Sequence, residues 1–190
     1  MAEIKTNYVL DAKGLACPMP IVKTKKAIVN LESGQVLEVQ ATDKGSQADI
    51  KAWSESTGHQ YIGTVVEGDT LKHYIRKAGS DEEKALYSFE HVLSNDEAKK
   101  KIGNGETAIL DVRESAEYAF GHIPGAVSIP LGELDERHEE LNSSQEILVV
   151  CRTGTRSDMA CAKLADKGFG RVFNIVPGMS KWDGPLEKES

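Results

Sequence analysis

The sequence predicts two folded segments in tandem: a two-layer α+β sandwich of order β-α-β-α-β-β, then an α/β unit on a central parallel sheet. Three observations carry that expectation. The stretch "AGSDEEKAL", residues 78–86, is small, charged and free of aromatic residues, and it interrupts the patterned sequence on both sides. Upstream, alternating apolar runs close with a hairpin signal. Downstream, short apolar runs alternate with helical spacing, as in a sheet covered on both faces. The expected division is 1–77, a linker at 78–86, and 87–190.

In the first segment, "NYVLDA" reads as a short strand. In "CPMPIVKTKKAIVNL" the apolar residues Ile21, Val22, Ala27, Ile28 and Leu31 follow helical period. Pro18 and Pro20 fall in its first turn, where backbone N–H groups lack helical partners anyway. "QVLEVQATD" alternates as a strand, and "GSQADIKAWSESTG" reads as a helix between glycines. "QYIGTVVEGDTLKHYIRK" is two strands joined at "EGDT".

In the second segment, "SNDEAKKKIGNG" predicts a helix capped by Ser94, with Glu97 completing a capping box. "TAILDV", "EILVVC" and "RVFNIV" are buried strands, and "AVSIP" is a shorter one. "SAEYAFG" is a helical turn, "LGELDERHEELN" a polar helix, "SDMACAKLADKG" a helix ended by glycine, and "GMSKWDG" a final turn or helix.

Composition narrows the function. No run approaches the roughly 18 apolar residues of a membrane span, and the start lacks the basic-then-apolar order of a secretory signal, so the expected setting is the cytoplasm, away from a membrane. Residues 1–77 carry 10 Lys+Arg against 9 Asp+Glu, and the remainder 13 against 21, so the net charge of −7 lies in the second segment. That disfavours nucleic acid as a partner. Cys17, Cys151 and Cys161 are too few and scattered for a disulfide framework. None sits in a C-x-x-C pair, and no metal or organic cofactor is implied.

"CRTGTRS", Cys151 to Ser157, follows the apolar run Ile147–Val150 and leads into a helix. A loop there turns backbone N–H groups inward, and the helix N-terminus adds positive potential. Arg152 and Arg156 strengthen that field, and Gly154 permits the turn. Cys151 is therefore expected to be a reactive thiolate. Phosphate-cleaving cysteine enzymes place five residues between cysteine and arginine. Four lie between Cys151 and Arg156, which closes the ring more tightly around the sulfur and leaves less room for a tetrahedral oxyanion.

At this point the segment resembles the rhodanese family of sulfurtransferases, whose active loop has this six-residue form. "LDVRESAEYAFGHIPGAVSIPL" and "GMSKW" match two further stretches of that family. The resemblance implies a rhodanese-like fold, a persulfide on Cys151, and substrate held by Arg152, Thr153, Gly154, Thr155 and Arg156. Asp111, Arg113, Glu117 and His122 also fit the family pattern, and we read them as scaffold. Cys161 shares helical spacing with Met159, Leu164 and Ala165 and is expected in the core, without a role.

Cys17 lies at the start of the first helix in "GLACPMP". The helix dipole and Lys23, Lys25 and Lys26 would favour its thiolate, though a small residue fitted to a helix start explains the spacing equally. Residues 8–77 are similar to the TusA/SirA-type sulfur carriers through Asp11, Gly14, Leu15, Cys17, Pro18 and Pro20. That resemblance implies that Cys17 holds sulfur as a persulfide and hands it to a partner protein. Together the two resemblances imply a sulfurtransferase. Cys151 takes sulfane sulfur from thiosulfate or a low-molecular-weight persulfide, and passes it to Cys17 or an external thiol acceptor. The alternative is a persulfide-sensing or redox-sensing module, or a regulatory binding module, without steady-state turnover.

Overall fold

The computed structural model describes residues 3–79 and 87–189. They divide into two compact units, one on either side of the undescribed stretch 80–86, within which most of the expected linker falls.

The first unit runs β1 (Tyr8–Ala12), α1 (Met19–Val29), β2 (Val36–Ala41), α2 (Ser46–Ser56), β3 (Gln60–Glu67) and β4 (Thr70–Arg76). The sheet order is β1-β2-β4-β3. β1 lies parallel to β2, as a helical crossover requires, and β4 is antiparallel to both of its neighbours. Leu37 and Val39 on β2 and Ile75 on β4 share one face of the sheet. They form a core with Ile28 of α1 and Ile50 of α2. On that face His73 is fully buried. It lies 2.9 Å from Ser46 Oγ and 2.8 Å from Thr64 Oγ1.

The second unit begins with β5 (Val92–Ser94) and α3 (Asn95–Lys101), followed by β6 (Thr107–Asp111), α4 (Ser115–Phe120) and β7 (Val127–Ser128). After α5 (Leu134–Arg137) come β8 (Glu146–Val150), α6 (Thr155–Asp166) and β9 (Val172–Val176). All five strands are parallel, in the order β5-β9-β8-β6-β7. β8 is central and buried throughout. Its alternation feeds two cores: Ile147 and Val149 pack with Cys161 and Leu164 of α6, Leu148 and Val150 with Ala98 of α3.

Ser94 and Glu97 form the expected capping box. The polar helix expected over "LGELDERHEELN" is instead α5 between two 3₁₀ turns, Leu131–Glu133 and His138–Glu140. Its apolar residues, Leu131, Leu134 and Leu141, supply no continuous i, i+4 stripe, and only Leu134 is fully buried. β5 escapes the sequence pattern because three residues are too few to show a period.

Candidate active sites

Cys151 follows the last residue of β8 and is only 1% exposed. The chain leaves the strand and turns at Gly154, whose φ of 99° places it in the left-handed region that favours glycine. The turn aims the Gly154 N–H at Cys151 Sγ, 3.0 Å away. Ser157, on the first turn of α6, sets its hydroxyl 3.2 Å from the same sulfur. That hydroxyl donates to Asn174 Oδ1 at 2.5 Å, and Asn174 Nδ2 donates to the Gly154 carbonyl at 3.1 Å. With its proton on Asn174, the Ser157 oxygen accepts from the thiol; rotated, it donates to a thiolate. The sulfur thus has a polar partner in either protonation state, inside a buried site where an unpaired group is costly.

The loop is braced from outside. Met179 N donates to the Cys151 carbonyl at 2.9 Å and Ser180 N to the Arg152 carbonyl at 2.8 Å. Gly178 makes this approach possible. Its backbone, at φ 84° and ψ −153°, lies in a region reserved for glycine. A Cβ there would collide with the Cys151 carbonyl oxygen. The Asn95 amide holds Gly178 in turn, donating to its carbonyl at 3.0 Å and accepting from its N–H at 3.1 Å. On the other side, the Tyr87 hydroxyl donates to the Thr153 carbonyl at 2.6 Å. Asp158 of α6 accepts from Ser88 N, Ser88 Oγ and Phe89 N at 3.0, 3.1 and 2.9 Å.

Of the residues expected around the sulfur, Arg152, Thr153 and Thr155 are half-buried in the loop. The Thr155 hydroxyl is a buried polar atom without a hydrogen-bond partner. Arg156 has a different environment from the expected one. Its Nη1 and Nη2 donate to Glu117 Oε2 and Oε1 at 2.8 and 3.0 Å, a buried two-pronged ion pair. The carboxylate offsets the guanidinium charge and ties α6 to α4. Arg113 similarly grips Asp111, at 2.6 Å from Nη2 to Oδ2. His122 stacks on Tyr118 with centroids 3.7 Å apart. Cys161 is fully buried in the core, and burial pushes its thiol pKa up.

Cys17 differs from expectation in both place and state. α1 starts at Met19 with Pro18 as N-cap, so the cysteine precedes the helix. It is exposed, and its thiol donates to Asp49 Oδ2 at 3.2 Å. That hydrogen bond raises the thiol pKa above its ordinary value, and the negative charges of Asp49 and Asp43 add to the effect. Acidic groups of the loop before α2 and of its first turn, rather than the lysines of α1, dominate the field.

Ser157, Asn174, Gly178, Asn95, Asp158 and Tyr87 were not singled out by sequence reasoning. One of them carried a signal: Asn174 is a polar residue inside the apolar strand "VFNIV", and a buried amide needs partners.

A cysteine held by a loop N–H at the end of a central parallel strand, in a chain whose other unit carries an exposed C-P-x-P cysteine, defines a sulfur-handling protein of two parts. Residues 8–77 match the family described as "Sulfurtransferase TusA", and residues 94–184 match "Rhodanese-like domain". The chain is 51% identical over 185 residues to the "Putative sulfur carrier protein YrkF" of Bacillus subtilis, covering 97% of this chain and 100% of that one. Over 99 residues it is 40% identical to the "Putative sulfurtransferase YtwF" of the same organism, covering 52% of this chain and 95% of the relative. The crystal structure of a rhodanese-like domain protein from Staphylococcus aureus superposes with a TM-score of 0.50 and 31% identity, over 53% of this chain and all of that one. The chain belongs to the family in which a TusA sulfur-carrier domain is fused to a rhodanese-like domain. Membership in a sulfur-carrier family implies partners in sulfur transfer. Among the described residues no helix is long and apolar enough to cross a membrane.

Proposed function

We propose that the protein is a sulfurtransferase with its own carrier: residues 1–77 the carrier, 78–86 the linker and 87–190 the transferase. The Cys151 thiolate attacks the outer sulfur of thiosulfate, or of a low-molecular-weight persulfide. A bond forms from Cys151 Sγ to that sulfur, the donor's S–S bond breaks, and sulfite or a thiolate leaves with the electron pair. Cys151 is then a persulfide. An acceptor thiolate attacks the terminal sulfur and Cys151 leaves as a thiolate, ready for another donor. The acceptor is Cys17 or the thiol of a partner protein.

The observation that carries this reading is the hydrogen-bond shell of Cys151 Sγ, in which the Gly154 N–H and the Ser157 hydroxyl converge on one sulfur. Such donors stabilise the anion both before attack and on departure. Arg152 and Thr153, half-buried in the loop, are assigned to hold the donor, and Arg156 supports the loop through Glu117. Cys17 is exposed, as an acceptor must be, with its thiol donating to Asp49. Three free thiols suit the reducing cytoplasm.

Peptide-resolved persulfide mass spectrometry after incubation with thiosulfate tests the scheme. Wild type should gain sulfur on Cys151 first and on Cys17 later. Cys17→Ser should stop at Cys151. If Cys151→Ser loads Cys17 from thiosulfate as fast as wild type, the internal transfer is wrong. If Cys151 gains no sulfur from thiosulfate or from glutathione persulfide, the transferase reading fails as well.

A further inference from the structure

The peptide joining Thr153 to Gly154 is hydrogen-bonded at both ends. Its N–H donates to Cys151 Sγ at 3.0 Å, and its carbonyl accepts from the Tyr87 hydroxyl at 2.6 Å. Drawing electron density toward an amide's oxygen makes its N–H a stronger donor, so the two bonds reinforce each other through one conjugated group. We propose that Tyr87 is a positioning residue for Cys151, orienting and polarising the amide that stabilises its thiolate. The proposal rests on the reading of Cys151 as the reacting sulfur.

The surroundings of Tyr87 fit this role. Its ring lies against Gly154 so closely that a Cβ at that position would come within 2.7 Å of Tyr87 Cε1. Position 154 must therefore be glycine for two reasons, the turn and the ring. The backbone just after Tyr87 is pinned by the three hydrogen bonds to Asp158, itself buried at the start of the helix that carries Ser157. The hydroxyl and the sulfur are thus referred to the same helix. Burial raises the Tyr87 pKa, and the neighbouring Cys151 and Asp158 raise it further. The phenol therefore keeps the proton it donates across the range where thiols titrate.

The test follows alkylation of Cys151 by iodoacetamide against pH in the full-length chain, read on the Cys151 peptide. No sulfane donor is involved, so the result is separable from success or failure of the transfer scheme. Tyr87→Phe keeps the ring and removes the hydroxyl. Its profile should shift to higher pH, with labelling near neutral pH roughly threefold to tenfold slower and the plateau at high pH unchanged. A Tyr87→Phe profile that overlays wild type would overturn the proposal. So would an altered plateau with an unmoved midpoint, since that marks Tyr87 as controlling access to the sulfur.

Discussion

Replacing Gly178 by alanine should cripple the Cys151 loop from a residue that never touches the sulfur. Two costs add. At φ 84° and ψ −153° a side chain is forced into a region that only glycine occupies readily, which costs about 1–3 kcal/mol. The new Cβ would also overlap the Cys151 carbonyl oxygen and stand 3.2 Å from the Arg152 carbonyl oxygen. These are backbone atoms, held by Met179 N and Ser180 N, so no flexible side chain can move aside. To reach ordinary contact the loop must retreat by ~0.5–1 Å. Misplacement on that scale slows chemistry by on the order of 10²-fold. The assay is single-turnover sulfur loading of Cys151, followed by mass spectrometry, with thermal unfolding in parallel. Each kcal/mol lost should lower Tm by roughly 4–8 °C for a unit of this size. Gly132→Ala is the control, because a Cβ there meets nothing within 4 Å. Should Gly178→Ala load sulfur and unfold like the Gly132→Ala control, the reasoning fails.

Three further outcomes follow from the geometry. Arg156→Ala should destabilise the second unit by about 3–5 kcal/mol by stranding buried Glu117, while Glu117→Leu combined with Arg156→Met should recover most of that loss in urea denaturation. Sulfur loading that survives in the double variant would mark Arg156 as structural, and its abolition despite recovered stability would mark it as catalytic. Asp49→Ala should lower the pH midpoint for alkylation of Cys17, since the hydrogen bond and the nearest opposing charge both disappear; an unmoved midpoint would refute the assigned cause. Burial lowers the His73 pKa from 6.5 to about 4, so the unfolded chain binds a proton that the folded unit refuses between those values. Stability should therefore fall as pH drops from 6.5 to about 4, by roughly 3 kcal/mol in all. An NMR titration in which the His73 imidazole protonates near 6.5 would contradict this.

What the sequence made legible was local. The βαβαββ order, the capping box of Ser94 and Glu97, and the run from Ile147 to Cys151 into a helix rest on periods and neighbours within a dozen residues. The chemistry of the sites depends on pairings across longer separations. Asp49 reaches Cys17 across 32 positions, and reverses the state expected from the helix dipole and nearby lysines. Glu117 reaches Arg156 across 39 positions, taking up a charge that the loop pattern had assigned to the sulfur. Asp158 reaches Ser88 across 70 positions. No spacing rule connects such residues, because only the order of strands in a folded sheet sets their distance.

The bracing of the Cys151 loop has a practical consequence for anyone isolating the second unit. The family match spans residues 94–184, yet Tyr87, Ser88 and Phe89 precede it and Glu187 follows it. Glu187 exchanges two backbone hydrogen bonds with His122, at 2.9 and 2.8 Å. A fragment trimmed to the family boundaries would lose the phenol on the Thr153 carbonyl, three donors to a buried carboxylate, and the strap that closes onto His122. Weak sulfur loading of such a fragment would measure the trimming and not the intact unit. The working edge of this unit lies at least seven residues upstream of the point where family resemblance begins.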